Sequence, residues 1–117
     1  MKKIYYLGTC STCNRIIKEL EPGPEFIFQN IKEEPITAAQ LEEMKAMAGS
    51  FESLFSRRAM KYRAMGLNEM TLTEADYRKY ILEEYTFLKR PVIIVDDEIF
   101  VGNAANVVAA AKAAIAG

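Results

Sequence analysis

Short apolar runs and a helical stripe alternate along the first third of the chain. Residues 4–7 form an apolar run that ends at Gly8 and predicts a buried strand, and residues 26–31 predict a second strand. Between them, over about 11–20, apolar residues recur at spacings of three and four, which predicts one face of a helix. Such a β-α-β unit pairs its strands in parallel through a right-handed crossover.

The middle of the chain carries three helical patterns. Thr37-Ala38-Ala39-Gln40 has the form of a capping box that opens a helix ending at Gly49, and a second helix is predicted over about 51–65. Thr73 opens a third helix. Its large side chains fall on one stripe, at Tyr77, Tyr80, Ile81 and Tyr85. Because burial explains that spacing, we interpret the stripe as core rather than as contacts to a cofactor.

The last quarter of the chain predicts two strands and a helix. Pro91 introduces an apolar run at residues 92–95, Asp96-Asp97 is a turn signal, and residues 98–101 complete a hairpin. An alanine-rich helix is predicted over 103–116. The order β-α-β, three helices, β-β-α predicts an α/β fold with a mixed four-stranded sheet.

Length and charge narrow the class of protein. The chain has 117 residues, half of them apolar, and we expect a single domain over 1–117 with a helical insertion at about 35–88. Lysine and arginine number 15 against 16 aspartates and glutamates, so we expect no direct nucleic-acid binding. The first apolar run is too short for a signal-peptide core or a membrane span, which favours a cytoplasmic protein without membrane contact.

The chain has two cysteines, Cys10 and Cys13, and no histidine. In the cytoplasm such a pair indicates redox chemistry or a metal rather than a structural disulfide. A zinc site needs four ligands, so this chain would have to add carboxylates or a second subunit. We therefore expect no metal site and interpret the cysteines as a redox pair.

The position of Cys10 suits a nucleophile. It lies where the first strand meets its helix, and the unpaired N–H groups and dipole of a helix N-terminus favour a thiolate. Cys13 falls on the inward stripe one turn later, so we expect Cys10 to attack and Cys13 to resolve the mixed disulfide or form an internal disulfide. The alternative for Cys13 is a small core residue. We interpret Ser11 and Thr12 as helix-capping residues whose amides line the anion site.

Two groups of basic residues have ordinary interpretations when taken alone. Arg90-Pro91 precedes a buried strand, where the dipeptide by itself is typical of a trans, strand-opening proline beside a solvated arginine. A cis bond is the alternative. Arg57, Arg58 and Lys61 are typical of a solvated helix face.

Together these features resemble the arsenate reductase (ArsC) and Spx family, over essentially the whole chain. The resemblance is carried by Cys10-Ser11-Thr12-Cys13 after the first strand, by the Arg90-Pro91 strand entry, and by residues 56–62 leading to Gly66-Leu67. It implies a thioredoxin-like fold with a helical insertion. It also implies that the Cys10 thiolate attacks an oxyanion or a disulfide substrate, bound by Arg58 and Arg90, with a cis Pro91 facing the sulfur. An arginine fork suits such an anion.

The resemblance also suggests partners. It implies no bound cofactor, a small anionic substrate or thiol, and glutathione, glutaredoxin or thioredoxin as electron donor. The alternative is an Spx-like regulator that binds the RNA polymerase α subunit through a Cys10–Cys13 disulfide switch, and Cys13 is a feature of the Spx branch.

The chain departs from the arsenate reductases of this family at three places. Gly102-Asn103-Ala104-Ala105 stands where those enzymes carry a further arginine, Gly8 replaces the usual proline two residues before the cysteine, and Asn14 replaces an arginine often found four residues after it.

Overall fold

Four strands and five α-helices make up the computed structural model, which describes residues 1–117. In chain order they are β1 (Lys2–Tyr6), α1 (Ser11–Leu20), β2 (Ile27–Asn30), α2 (Ala38–Ala48), α3 (Met60–Ala64), α4 (Glu74–Glu83), β3 (Val92–Val95), β4 (Glu98–Val101) and α5 (Ala105–Ala116). None of these helices has both the length and the apolar character to cross a membrane. The predicted order β-α-β, helices, β-β-α is confirmed.

The chain divides into two compact units. The first comprises residues 1–35 and 90–117 and holds the sheet, and the second comprises residues 36–89 and holds α2, α3 and α4. The organisation of the chain as one domain stays a prediction.

The sheet of the first unit has the strand order β2-β1-β3-β4. β1 pairs in parallel with β2 and antiparallel with β3, and β3 pairs antiparallel with β4, so the predicted mixed four-stranded sheet is confirmed. The parallel pair follows from the helical crossover through α1, whereas β3 and β4 are joined by a tight turn in which Asp96 has a φ of 55°. All four residues of β3 are buried, as the apolar run indicated.

The core of the first unit forms where α1 and α5 pack on the sheet. Its buried members are Ile4, Ile16, Leu20, Phe26, Ile93, Val95, Val108 and Ala111. Burying each large aliphatic side chain contributes roughly 1.5–3 kcal/mol relative to leaving it in water. Cys13 is fully buried on the same face of α1 as Ile16 and Leu20, so the helix that carries the cysteine pair is anchored by its inner stripe.

The second unit corrects one prediction. The helix predicted over about 51–65 was wrong: a single 3-10 turn at Glu52–Leu54 is followed by Phe55 in an extended conformation and by a turn at residues 57–58, and α3 has five residues. Phe55 forms an antiparallel bridge with Leu88, and the Ser56 N–H donates to the Phe87 carbonyl at 2.7 Å. The Phe55 ring stacks on the Phe87 ring at 5.0 Å between centroids. This pairing between distant parts of the chain overrides the local helical pattern.

The predicted capping box at Thr37 is present, and the helix that Thr73 opens begins with a second one. The Thr37 hydroxyl accepts the Gln40 N–H while the Gln40 side chain accepts the Thr37 N–H, and Thr73 and Asp76 make the same exchange at the start of α4. Each box satisfies backbone donors that a helix N-terminus otherwise leaves to water. On the large stripe behind Thr73, Tyr77 and Ile81 are buried, which confirms the core interpretation for these two residues.

Candidate active site around Cys10

The turn from Leu7 to Cys10 carries the first cysteine from β1 into α1. The Cys10 N–H donates to the Leu7 carbonyl at 2.9 Å, which closes a four-residue turn. Cys10 has extended backbone angles (φ −93°, ψ 111°) and occupies the N-cap of α1, and its carbonyl accepts the Asn14 N–H at 3.1 Å. The half-buried Cys10 side chain therefore stands beside the unpaired N–H groups of the first helical turn.

The surroundings of Cys10 favour its thiolate. Burial opposes ionisation, but the backbone N–H of Cys13, the Cys13 thiol and the backbone N–H of Thr12 all stabilise the negatively charged sulfur, and the positive charge of Arg90 acts in the same direction. Together these groups hold the pKa of Cys10 below the usual cysteine value of 9.0. The thiolate is the nucleophilic form, so Cys10 is the more reactive of the two sulfurs.

Cys13 has the opposite electrostatics. Its side chain is fully buried, and this burial raises its pKa to about 11. The Leu7 backbone N–H lowers that pKa, while the negative charge of Cys10 and the hydrogen bond that Cys13 donates to Cys10 raise it. Cys13 is therefore a neutral thiol at physiological pH and acts as a hydrogen-bond donor to its partner. Both cysteines are reduced in this structure.

Ser11 and Thr12 lie inside the first turn of α1 rather than at its cap. The N-cap is Cys10 itself, and it makes no side-chain capping bond, so the expected capping role of the two hydroxyl residues was wrong. The Thr12 backbone N–H lowers the pKa of Cys10, and the expectation that the two amides line the anion site stays a prediction. The Ser11 side chain is exposed.

Arg90 and Pro91 enter β3 from the side of the cysteines. The Arg90–Pro91 peptide bond is cis, as the family resemblance implied and the dipeptide alone did not. Pro91 is buried, and its carbonyl accepts the Gly102 N–H at 2.9 Å. Arg90 is half-buried, and its positive charge lowers the pKa of both Cys10 and Cys13. The arginine is thus part of the electrostatic environment of both sulfurs rather than a solvated side chain.

The basic cluster of the second unit is not a continuous helix face, because Arg57 and Arg58 precede α3. Arg57 donates to Glu52 at 2.7 Å and to the Tyr77 hydroxyl at 2.9 Å. Lys61 pairs with Glu84 at 2.7 Å. The exposed Arg58 makes no ion pair or side-chain hydrogen bond, so it is the member of the cluster whose guanidinium is available to a ligand.

One residue that sequence reasoning missed supports the turn before Cys10. Asn30, at the end of β2, accepts the Gly8 N–H at 3.2 Å, and on the other side the Asn14 amide donates to the Gly8 carbonyl at 3.0 Å. In the sequence, Asn14 appeared only as a departure from a family pattern, and Gly8 as such a departure and as the end of the first apolar run. The signal for Asn30 would have been its place at a turn that follows the strand paired with β1.

Groups of metal-binding side chains are absent from the structure, which has no cluster of three or more histidine, cysteine, aspartate or glutamate residues able to hold an ion.

A comparison with protein families decides the relationship of this chain to known proteins. A family model describing the ArsC family matches residues 5–111, which is nearly the whole chain. The chain belongs to the ArsC family. A comparison with curated protein sequences finds no significant match.

Solved structures share the fold of this ArsC-family protein. A YffB protein is 22% identical with a TM-score of 0.77, and the match covers 96% of this chain and 99% of the other. An arsenate reductase (ArsC) related protein from Brucella melitensis is 24% identical with a TM-score of 0.70, over 90% and 88%. An arsenate reductase from Vibrio cholerae is 16% identical with a TM-score of 0.68, over 84% and 86%. At these identities the likeness establishes the ArsC thioredoxin-like fold.

Four of the predicted site residues of the ArsC-family protein interact within its first unit. Thr12, Cys13 and Arg90 all lower the pKa of Cys10, and Arg90 also lowers that of Cys13. Arg58 belongs to the second unit. Its assignment rests on the family motif and on its guanidinium, which has no ion pair.

Proposed function

We propose that this ArsC-family protein is an arsenate reductase-like thiol oxidoreductase in which the Cys10 thiolate attacks an anionic substrate. The observation that carries the proposal is the convergence of two backbone N–H groups, the Cys13 thiol and the Arg90 charge on the Cys10 sulfur. A thiol in such surroundings is activated as a nucleophile near neutral pH. The class of substrate is an oxyanion such as arsenate, or the carboxylates of a glutathione-type thiol.

Arginines supply the binding of the anion in this proposal. Arg90 already acts on the nucleophile, and a guanidinium binds a tetrahedral oxyanion through two parallel hydrogen bonds without losing its charge. Arg58 is assigned the second contact because it matches the family motif and has no acidic partner, unlike Arg57 and Lys61. The Ser11 and Thr12 amides and the Pro91 backbone complete the proposed substrate pocket.

The proposed reaction uses two thiols as the source of two electrons. The Cys10 thiolate attacks the As(V) centre of arsenate, and one arsenate oxygen leaves as water after protonation, which gives a Cys10–S–As bond. A second thiol then attacks the Cys10 sulfur, the S–As electron pair stays on arsenic, and arsenite leaves as As(III) while a disulfide forms. Glutathione, glutaredoxin or thioredoxin then reduces that disulfide.

Cys13 is the proposed second thiol. It is buried and neutral while Cys10 is a thiolate, and its hydrogen bond to Cys10 keeps the two sulfurs in contact. Once Cys10 is bonded to arsenic it no longer carries a negative charge, and one cause of the raised pKa of Cys13 disappears. Ionisation of Cys13 is then favoured at the step that needs its thiolate.

One assay tests substrate class and cysteine roles together. The protein is incubated with arsenate, glutathione and glutaredoxin, and arsenite is measured for wild type, Cys10→Ser, Cys13→Ser and Arg58→Ala. We expect arsenite from wild type, none from Cys10→Ser, a reduced rate from Cys13→Ser, and a raised KM from Arg58→Ala. Arg63→Ala is the matched control for Arg58, since Arg63 is also exposed but lies within α3. Arsenite formation that survives Cys10→Ser would contradict the proposal.

A second function is favoured by one observation. Asn103 is exposed where arsenate reductases of the family carry a further arginine, while the Cys10–Cys13 hydrogen bond remains. This combination suits a redox-sensing regulator that binds the RNA polymerase α subunit and turns over no substrate. Capture of that subunit by the oxidised but not the reduced protein, together with no arsenite formation, would favour the regulator over the reductase.

A further inference from the structure

The turn that delivers Cys10 has glycine at a position where proline would fix the backbone. Leu7, Gly8, Thr9 and Cys10 form a four-residue turn closed by the Cys10 N–H and the Leu7 carbonyl, so Gly8 is its second residue. Proline is favoured at the second position of common turns because its ring presets φ. Glycine instead leaves φ unrestricted, because it has no Cβ. Something else must therefore hold this turn.

Two asparagine side chains bind the peptide groups on either side of Gly8. The Gly8 N–H donates to Asn30 Oδ1 at 3.2 Å, and the Gly8 carbonyl accepts from Asn14 Nδ2 at 3.0 Å. Proline at position 8 would have no N–H to donate. A Cβ at position 8 would lie 2.5 Å from Asn30 Nδ2, so the absence of a side chain at Gly8 is what allows Asn30 to approach.

Asn30 is itself held firmly. Asn30 lies opposite Tyr6 in the parallel pairing of β1 and β2. Tyr6 is two residues before Gly8 in the chain. Its carbonyl accepts the N–H groups of Glu33 and Glu34 at 3.1 and 2.8 Å, and its Oδ1 also accepts the Lys32 N–H at 3.3 Å. The turn after β2 thus positions the Asn30 side chain, and this side chain holds the Leu7–Cys10 turn after β1.

We propose that Asn30 and Asn14 are positioning residues for the nucleophile, which clamp Gly8 and so hold the Leu7–Cys10 turn where it places the Cys10 sulfur at the start of α1. The asparagine pair replaces the conformational restriction that a proline would supply. This inference rests on the proposed function only in taking Cys10 as the nucleophile. It also gives one structural reason why both Gly8 and Asn14 depart from the family pattern, since the two residues are joined by a hydrogen bond.

The test is the pH profile of iodoacetamide alkylation at Cys10, measured by mass spectrometry of the Cys10 peptide in wild type and Asn30→Ala. We expect the midpoint of the profile to rise toward that of an ordinary thiol, because a looser turn aligns the Thr12 and Cys13 N–H groups less well with the sulfur. The rate at pH 6 should fall about three- to tenfold while the limiting rate at high pH stays unchanged. An unchanged midpoint in folded Asn30→Ala would overturn the proposal.

Two further variants keep the test decisive if Asn30→Ala does not fold. Asn14→Ala changes an exposed side chain and should raise the midpoint in the same direction by a smaller amount. Asn106→Ala is the matched control, since Asn106 is exposed on α5 and should leave the profile unchanged. A folded Asn14→Ala variant with the profile of the control would also overturn the clamp.

Rescue by proline separates positioning from general stability. In the double variant Gly8→Pro, Asn30→Ala, the space occupied by the asparagine is available to the ring, and we expect most of the lost alkylation rate at pH 6 to return. A double variant no faster than Asn30→Ala would overturn the positioning role. Because alkylation requires no arsenate, a wild-type protein that produces no arsenite would contradict the proposed function while leaving these profiles a valid test of the clamp.

Discussion

The Cys13 thiol donates a hydrogen bond to the sulfur of Cys10, and this contact moves the two pKa values in opposite directions. The donor is fully buried and the acceptor half-buried, so the pair divides into a neutral thiol and a nucleophile before any substrate is present. Sequence spacing alone could bring the two sulfurs together. The asymmetry requires the inner face of α1 to be anchored in the core, which the structure shows.

Removal of Cys13 should raise the pKa of Cys10. Cys13→Ala deletes a donor to the thiolate, and hydrogen bonds to charged groups contribute about 1.5–3 kcal/mol, so we expect the pKa of Cys10 to rise toward that of an ordinary thiol. Cys13→Ser retains a hydroxyl donor and should produce a smaller rise. The pH dependence of the ultraviolet absorbance of the thiolate measures both pKa values. Equal values in wild type and Cys13→Ala would show that the hydrogen bond does not tune Cys10.

Cys13 should also lower the stability of the protein in alkali. Its pKa is raised from 9.0 to about 11, so between these values the unfolded state loses its proton while the folded state retains it. The free energy of unfolding therefore falls as pH rises through this window, by about 2–3 kcal/mol if the shift is fully expressed. Urea denaturation of wild type and Cys13→Ala at pH 8, 9, 10 and 11 measures the difference. The two curves should converge with rising pH, and parallel curves would contradict the raised pKa.

Arg90 should act on reactivity through its charge and on substrate through its shape. Arg90→Ala removes a positive charge that lowers the pKa of Cys10, so the alkylation midpoint should rise. Arg90→Lys keeps the charge and should restore much of the midpoint, while anion binding should remain weaker because an ammonium cannot make the paired hydrogen bonds. Alkylation profiles and arsenate KM, measured side by side, separate these effects. Arg15→Ala, an exposed change on α1, serves as the control.

The sequence was informative wherever local signals and burial agreed. The capping box at Thr37, the helix that Thr73 opens and the β3–β4 hairpin follow from spacing and turn chemistry, and the structure has them where they were predicted. The chain around Phe55 was mispredicted because its pairing with Leu88 depends on a residue that lies far along the chain. No local pattern encodes that contact.

The same distinction applies to the candidate site. Cys10 was identified from its place at a strand-helix junction, because that place alone creates the anion site. Asn30 was missed because its bond to Gly8 spans 22 residues and exists only once β1 and β2 are paired. The cis bond at Pro91 came from the family resemblance, since the dipeptide itself favours trans.

Phe55 should be among the most stabilising side chains of the second unit. It is fully buried, and its ring contacts those of Tyr77 and Phe87 at 4.9 and 5.0 Å between centroids. Phe55→Ala should lower the free energy of unfolding by about 3–5 kcal/mol, because it removes apolar contacts and leaves a cavity. The matched control is Phe28→Ala, whose ring is 42% exposed and should cost less than about 1.5 kcal/mol. Urea denaturation followed by circular dichroism compares the two, and similar losses would contradict the assignment.

Glu84 should stabilise the end of α4 in a pH-dependent way. Its carboxylate accepts from Lys61 at 2.7 Å and from the Thr86 N–H and hydroxyl at 3.2 and 2.9 Å, and the Lys61 hydrogen bond leads the causes that lower its pKa below 4.5. A lowered carboxyl pKa contributes stability that is complete above about 4.5 and is lost as pH falls through the lower, folded value. Glu84→Gln should therefore lower the free energy of unfolding by about 1 kcal/mol at pH 7, and less at pH 3. Glu83→Gln, an exposed neighbour on α4, should change neither value, and a Glu84→Gln loss of equal size at both pH values would contradict the role of the charge.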